Sequence, residues 1–470
     1  MGRRWEDAET DIGKQFSPGA RAPPQTRFGG FNAKPHAYAA YAWGYILSLL
    51  RSWFPHCLTQ RTCNPIRPHS AGHRSMKNPT EAIAQLADKL SVVDTVESNP
   101  PTCTGRVLAA DVVADRDSPA ADVSAMDGYA IRLSDLERTD AIAISGEAAA
   151  GGPPPQMQDN HVVRIFTGAI APSDCDAIVK REDTQELDGA IKFRESALGT
   201  KPGEHIRLAG ENAKAGSTVL KAGTLLTAAH LATMANFGAQ SAGVFRKVRV
   251  LVITTGDEVI EVPDGDALQP WQLRNSNAHS VSSVLDSNPW IEVVDVMHCT
   301  DERKKLESLL ESVVGAHDAV ILTGGVSMGD HDYVPDAVRT VGGEVVFHGL
   351  PVRPGKPILG AARDGKLIIG LPGNPVSATI GCHRFVQPLL SKISGQANWR
   401  TPCPVVHLTN PGKKTIPLHW MRLVKLTDHA VAEPVLSKGS GDLVSLGQST
   451  GYVEILPGAS GEGPWPYYRW

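Results

Sequence analysis

The chain has 470 residues, too many for one ordinary hydrophobic core, so about two to four domains are expected. Hydrophobic residues make up 41% and charged residues 20%, as in soluble globular proteins, and 45 glycines with 34 prolines favour turns and short strands over long helices. A formal net charge of −4 and the lack of a basic tract argue against nucleic acid as a partner.

Residues 1–75 hold ten Lys/Arg against four Asp/Glu, leaving 36 against 46 in the remainder. Their one apolar stretch, residues 38–50, is 13 residues long, short of the roughly 20 that a spanning helix requires, so no membrane span is expected. The segment reads as a poorly ordered extension, with a targeting or membrane-surface role as the other reading. From Met76 the pattern is that of a folded protein: Asn78 as N-cap, Pro79 at the first helical position, Glu81 in the first turn, and Ile83, Leu86 and Leu90 on one face. Residues 102–208 carry short apolar runs between Gly/Pro clusters such as "GGPPP", which predicts a β-rich domain. Residues 216–238 end in a helical stretch with Leu231, Met234 and Ala235 on one face and Gly238 as its stop. Segments 76–101 and 209–245 together are expected to form a discontinuous, mixed linker and dimerisation domain.

Between residues 246 and 396 the grammar changes. Apolar β runs at 248–258, 290–297, 318–325 and 365–374 alternate with helical segments. One of these, residues 300–315, places Leu306, Leu309, Leu310 and Val313 on a stripe, with Thr300 as N-cap and Asp301 in the first turn. The alternation predicts a doubly wound α/β domain, a parallel sheet covered on both faces, whose ligands gather beyond the carboxyl ends of its strands. Residues 397–470 return to short β runs and predict a small C-terminal β domain. The expected fold class is thus α/β plus β, multidomain. The seven cysteines are scattered, odd in number and without a Cys-x-x-Cys pair, so they read as reduced thiols of a cytoplasmic protein.

The chemistry lies in the loops after the α/β strands. "LTGGVSMGDHD" lacks the endings of both nucleotide-binding glycine fingerprints, yet Gly324 and Gly325 allow close approach, and the following N–H groups with the Ser327 hydroxyl can face a phosphate. A plain strand-to-helix turn explains the same residues. Asp257 and Glu258, Asp301, and Asp330 and Asp332 follow three different strands. Carboxylates converging on one sheet edge repel unless a cation sits among them, and hard oxygen ligands beside a phosphate suit Mg²⁺. Taken singly, each acid also reads as a solvated residue at a helix start. Pro354 and Pro357 stiffen a turn that presents Lys356, an ammonium suited to an oxyanion. The turn Pro372, Gly373, Asn374, Pro375 offers backbone amides to an anion or simply links strand to helix. "SAMDGYAIR" and "RIFTGAIAPSDCDAIVKRED" read as a hairpin and a stretch of sheet.

Taken together and in order, "SAMDGYAIR", "IFTGAIAP", "DAIVKRED", "TTGDEV", "RNSN", "LTGGVSMGDHDYV", "RPGKP" and "LPGNPVSA" resemble the molybdopterin molybdenumtransferase family, which is similar to the E domain of gephyrin. The resemblance covers Met76 to the C-terminus. It implies an enzyme that uses Mg²⁺ to insert molybdenum from molybdate into adenylated molybdopterin while AMP leaves. It also implies an elongated homodimer whose cleft lies between the α/β domain of one subunit and the β-rich domain of the other, and contact with the adenylyltransferase that precedes it in the pathway. Carried over by residue, Asp127, Thr167, Glu258, Asp301, Asp332 and Lys356 are functional positions, with Glu258, Asp301 and Asp332 as metal ligands. Gly324, Gly325, Ser327, Gly329, Pro372, Gly373, Asn374 and Pro375 would bind substrate.

Asn212 stands where the family usually has aspartate, and "LQPWQLRNSN" is bulkier than the usual glycine-led version. If position 212 must be anionic, activity suffers; if it only bonds a neighbour, the amide suffices. The alternatives are a molybdopterin adenylyltransferase, which usually reads Thr-Gly-Gly-Thr-Gly where this chain has Thr323 to Ser327, and a non-catalytic pterin-binding scaffold.

Overall fold

Asn78 and Pro79 start a helix as their types predict: in the computed structural model it spans Pro79–Ala87, and the Asn78 side chain accepts from Thr80 N at 2.9 Å. The structure describes residues 78–261, 267–327, 329, 332–400 and 402–470; the basic extension, Met76 and Asp330 lie outside them. Ala82, Ile83 and Leu86 of this helix are buried against Phe347 and other residues of the α/β core. A small sheet pairs Thr95–Ser98 with Ala242–Phe245 and the latter with Val107–Leu108, joining segments from either side of the β-rich stretch. The second helix, Ala228–Asn236, buries Met234, while Ala235 is exposed, so only part of the expected face packs.

The α/β sheet has six strands in the order Ile291–Cys299, Val248–Thr255, Ala319–Thr323, Lys366–Leu371, Leu359–Arg363, Glu344–His348. The first four are parallel, and the last two join antiparallel, which corrects the expectation of a purely parallel sheet. The reason is local: Asp364 and Gly365 take positive φ (51° and 77°), the two-residue turn that folds a strand straight back on its neighbour. Successive residues of each central strand enter opposite cores, Val250, Val252 and Ile321 on one face, Leu251, Ile253 and Leu322 on the other. The helix after Ile291–Cys299 spans Arg303–Val313 with Glu302 as N-cap, not Thr300, and buries Leu306, Leu310 and Val313. Asp301 is kept out of the helix because its N–H donates to Asp257 Oδ1 at 3.0 Å.

The β-rich part is built on a six-stranded sheet in which Gly128–Ile131 lies between Ala177–Lys180 and His161–Ile165, with a separate pair, Val123–Ser124 and Ile206–Arg207. The C-terminal strands close on themselves, because His419–Asp428 pairs with both Val431–Pro434 and Gly451–Ile455, giving a small barrel. Val352–Arg353, from the stiff turn that carries Lys356, pairs with His419–Asp428 and so attaches that turn to the barrel. Among the described residues no helix is long and apolar enough to cross a membrane.

The barrel docks on a π-helical turn, Cys382–Val386, that interrupts the last helices of the α/β domain. His383 Nδ1 lies 3.1 Å from the Tyr452 hydroxyl, and its ring meets those of Tyr452, Tyr468 and Trp470 edge-on. Burial, and secondarily the neighbouring Arg384, push the His383 imidazole from 6.5 down to about 4. Between those values the unfolded chain takes up a proton that the folded one does not, so this contribution to stability is complete above about pH 6.5 and lost as pH falls towards 4. Wild type is expected to lose roughly 2–3 kcal/mol more than His383→Gln between pH 7 and pH 4.5 in denaturant unfolding. Parallel stability profiles would remove His383 as the cause.

Candidate active site

Strand order reverses beside Val248–Thr255: the next strand of this sheet in sequence, Ile291–Cys299, lies on one side and Ala319–Thr323 on the other. Loops leaving their carboxyl ends part there, and a cleft of ≈ 850 Å³ opens. Its wall brings together Glu258, Asp301 and Asp332 with Gly324, Gly325 and Ser327, and the turn Pro372 to Pro375. Gly441 and Leu443 reach it from the C-terminal part.

Gly324 and Gly325 adopt φ of 95° and 60°, and a Cβ on Gly324 would stand 2.5 Å from Thr255 Oγ1. The glycine therefore serves both backbone shape and close packing under the cleft. Gly324→Ala is expected to cost about 1–3 kcal/mol from the strained φ and the clash together. Equilibrium unfolding checks this, and an unchanged midpoint would contradict it.

The acids are held differently. Asp257 and Asp301 exchange contacts, Asp301 N donating to Asp257 Oδ1 at 3.0 Å and Asp257 N to Asp301 Oδ2 at 3.4 Å, which clips two adjacent strand ends together. Asp332 Oδ2 accepts from Gly329 N at 2.6 Å. That bond occupies the Gly329 amide, and Gly329 is not among the described residues of the cleft wall. The Glu258 carboxylate folds back over Gly256, whose Cβ position lies 2.7 Å from Glu258 Oε2. Among the described residues no three His, Cys, Asp or Glu side chains stand close enough to hold a metal ion alone. The donor set thus fits Mg²⁺ only in its usual partial form, with one or two carboxylates completed by water and a substrate phosphate.

Lys356 does not line this cleft. It lies in a second one of ≈ 650 Å³ with Arg353, Lys414 and Arg422, and no Asp or Glu is among the described residues of its wall. Arg422 and Lys414 stand 4.9 and 5.7 Å from the Trp420 ring centroid, and burial lowers the Arg422 pKa. Such a pocket selects an anion, since several cations gathered on one wall gain from a charge that neutralises them.

Asp127 and Thr167 line neither cleft. They bond to each other at the end of the β-rich sheet: Thr167 N and Oγ1 donate to Asp127 Oδ1 at 2.8 and 2.7 Å. Those two bonds, backbone first, and then the charges of Arg181 and Arg164 hold the Asp127 carboxyl below its ordinary range. Asn212 Oδ1 accepts from Arg207 Nη2 at 2.9 Å, while Arg207 pairs with Glu211. The amide thus bonds a neighbour whose charge is already met by Glu211.

Several contributors escaped the sequence reading. Asn275, buried, caps the helix Ser276–Asp286 through Ala278 N and donates to Thr254 Oγ1 and Glu261 Oε1. Asn277 Nδ2 donates to Gly373 O at 2.8 Å and steadies the turn across the cleft. An asparagine before a helix was the available signal for the first, and Arg353 stands in the "RPGKP" motif beside Lys356; Lys414 and Arg422 had no signal, being far from that motif in sequence.

Two family profiles match: the MoeA N-terminal region (domain I and II) over residues 77–238, and a probable molybdopterin binding domain over residues 251–392. The chain is 36% identical to the molybdopterin molybdenumtransferase of Haemophilus influenzae over 299 residues, covering 63% of this chain and 72% of that protein. It is 32% identical to that of a Nostoc species over 413 residues, 84% of this chain and 92% of the relative. A crystal structure of the molybdopterin biosynthesis MoeA protein of Pyrococcus horikoshii superposes with a TM-score of 0.69 at 25% identity, over 84% of this chain and 97% of that one. With this likeness running through both matched regions, the chain belongs to the molybdopterin molybdenumtransferase family.

Proposed function

We propose that this protein inserts molybdenum from molybdate into adenylated molybdopterin with release of AMP, the last step of molybdenum cofactor synthesis. The observation that carries the reading is the pair of adjoining clefts, one with carboxylates and a glycine cradle, the other lined by cations with no acid among its described residues. Gly324, Gly325 and Ser327 would receive the substrate phosphate through backbone amides and a hydroxyl. Lys356, with Arg353, Lys414 and Arg422, would hold the molybdate dianion. Glu258, Asp301 and Asp332 would bind Mg²⁺ or its waters, and the ion's contribution is to neutralise the pyrophosphate whose cleavage frees AMP.

The active form is proposed to be a homodimer. Trp271, Leu273, Leu443 and Val444 are 70%, 56%, 42% and 70% exposed, and Leu273 and Leu443 border the first cleft. A rim this apolar suits a covering surface. Asp127 and Thr167 of a second copy, which lie away from the clefts of their own chain, would orient substrate there. Contact with the preceding adenylyltransferase and a cytoplasmic setting belong to the same reading.

The test is to mix the purified protein with adenylated molybdopterin, Mg²⁺ and molybdate and measure AMP. AMP release that depends on molybdate supports insertion. Tight pterin binding without AMP would establish the scaffold instead, and formation of the adenylate from ATP the adenylyltransferase.

A further inference from the structure

Of the four cations among the described residues of the second cleft, three are arranged around one side chain, Trp420. Strand alternation puts Arg422, two residues on along His419–Asp428, on the same face as Trp420, and the register of the adjoining strand sets Arg353 opposite it. Lys414 comes from the loop before that strand, and its Nζ stands 5.7 Å from the indole centroid, with the Arg422 guanidinium at 4.9 Å. Arg422 is also tied to the head of that loop, its Nη1 donating to the Pro411 carbonyl. The ring itself is fixed, being half-buried against the barrel core of Val406, Leu408 and Val424. Like charges gathered this closely repel, and a carboxylate between them would relieve the repulsion. Among the described residues, however, Arg353, Lys414 and Arg422 form no ion pair with any acid. The negative face of an indole attracts cations without neutralising them. Lys414 is exposed and its stem is flexible, so the ring is what draws its ammonium to the pocket.

Resting on the function proposed above, we propose that Trp420 is a positioning residue whose ring gathers Lys414 and Arg422 beside Arg353 into one oxyanion-binding set, and that the affinity of the second cleft for molybdate depends on it. A carboxylate in its place would hold the cations as well but would neutralise them and repel the dianion. An aliphatic side chain would leave their charge intact but let them separate. Only an aromatic face holds the cations together and keeps their full charge for the ligand. Each such contact at an exposed site corresponds to about a two- to fivefold change in affinity, so the two together correspond to about tenfold.

The experiment measures molybdate binding by equilibrium dialysis for wild type, Trp420→Leu and Trp420→Phe, together with the half-saturating concentrations of both substrates in AMP release and the Tm of each protein. Trp420→Leu is expected to weaken molybdate binding about tenfold, while half-saturation by adenylated molybdopterin stays as in wild type. Trp420→Phe keeps a ring face and should recover part of the loss. Because Trp420 acts through its cations, Lys414→Met should cost several-fold in the wild-type background and little in the Trp420→Leu background. A leucine variant with wild-type molybdate affinity overturns the inference, and so does a phenylalanine variant as weak as leucine. Equal losses towards both substrates with a lowered Tm also overturn it, since that is the signature of lost barrel packing. Equal effects of Lys414→Met in the two backgrounds would do the same. A wild type that binds no molybdate removes the inference and the proposed function together. A wild type that binds molybdate but releases no AMP ends the proposed function alone, and the dialysis series then decides the role of Trp420.

Discussion

Glu454→Ala is expected to lose about 3–5 kcal/mol of stability, the scale seen when one partner of a buried ion pair is removed. Glu454 is 5% exposed, and every contact to its carboxylate crosses between structural parts or barrel strands. Arg384 Nε donates at 2.8 Å from the π-helical turn, His419 Nδ1 lies 2.8 Å away, and the Tyr468 hydroxyl donates at 3.0 Å. Burial alone would raise the Glu454 pKa, but Arg384 and these hydrogen bonds outweigh it and the net shift is downward. Its stabilising contribution is therefore complete above the ordinary carboxylate range and is lost only as pH falls through the lowered folded value. In the variant Arg384 is left buried without its counter-charge, which is the larger part of the penalty. Tm should fall on the order of 10 °C. Because the C-terminal part supplies Lys414 and Arg422 to one cleft and Leu443 to the other, AMP release should fall with it. A melting curve superimposable on that of wild type would refute the assignment of Glu454 as the anchor.

Glu258→Gln should show the opposite pattern, with stability kept and activity lost. The side chain is exposed and lines the first cleft, and surface changes of this type usually stay within about 0.5 kcal/mol. Removing one carboxylate that would hold the Mg²⁺ neutralising the pyrophosphate should cost about 10²–10³ in rate. If Glu258 contributes to a shared Mg²⁺ shell, the variant should also need more Mg²⁺ for half-maximal AMP release, whereas adenylated molybdopterin should still bind through the glycine cradle. Wild-type rates at limiting Mg²⁺ would exclude Glu258 from that role. Asp301 is a poorer probe, since its exchange with Asp257 also ties two strand ends together.

The contrast between these two carboxylates follows what was legible in the chain. Each βα loop of a doubly wound sheet emerges on the same edge, so the positions of Glu258, Asp301, Asp332 and Gly324 in the strand-and-helix pattern were enough to place them beside one cleft. The start at Asn78 and Pro79 was equally readable, being set by bonds within one helical turn. The Asp364-Gly365 turn carried a readable hairpin signal as well, but the apolar runs on both sides of it fit either a parallel or an antiparallel neighbour.

Sequence by itself thus determined the α/β-plus-β composition, the glycine turn and which acids share an edge, because periodicity and turn chemistry are local and strand connectivity carries them to one side. Only tertiary structure decided that Lys356 leaves those acids for a pocket with Lys414 and Arg422. That outcome depends on Val352–Arg353 pairing with His419–Asp428 and on where the closed barrel comes to rest. Contacts between residues some sixty positions apart are selected by the packing of whole domains, and no short-range pattern encodes them.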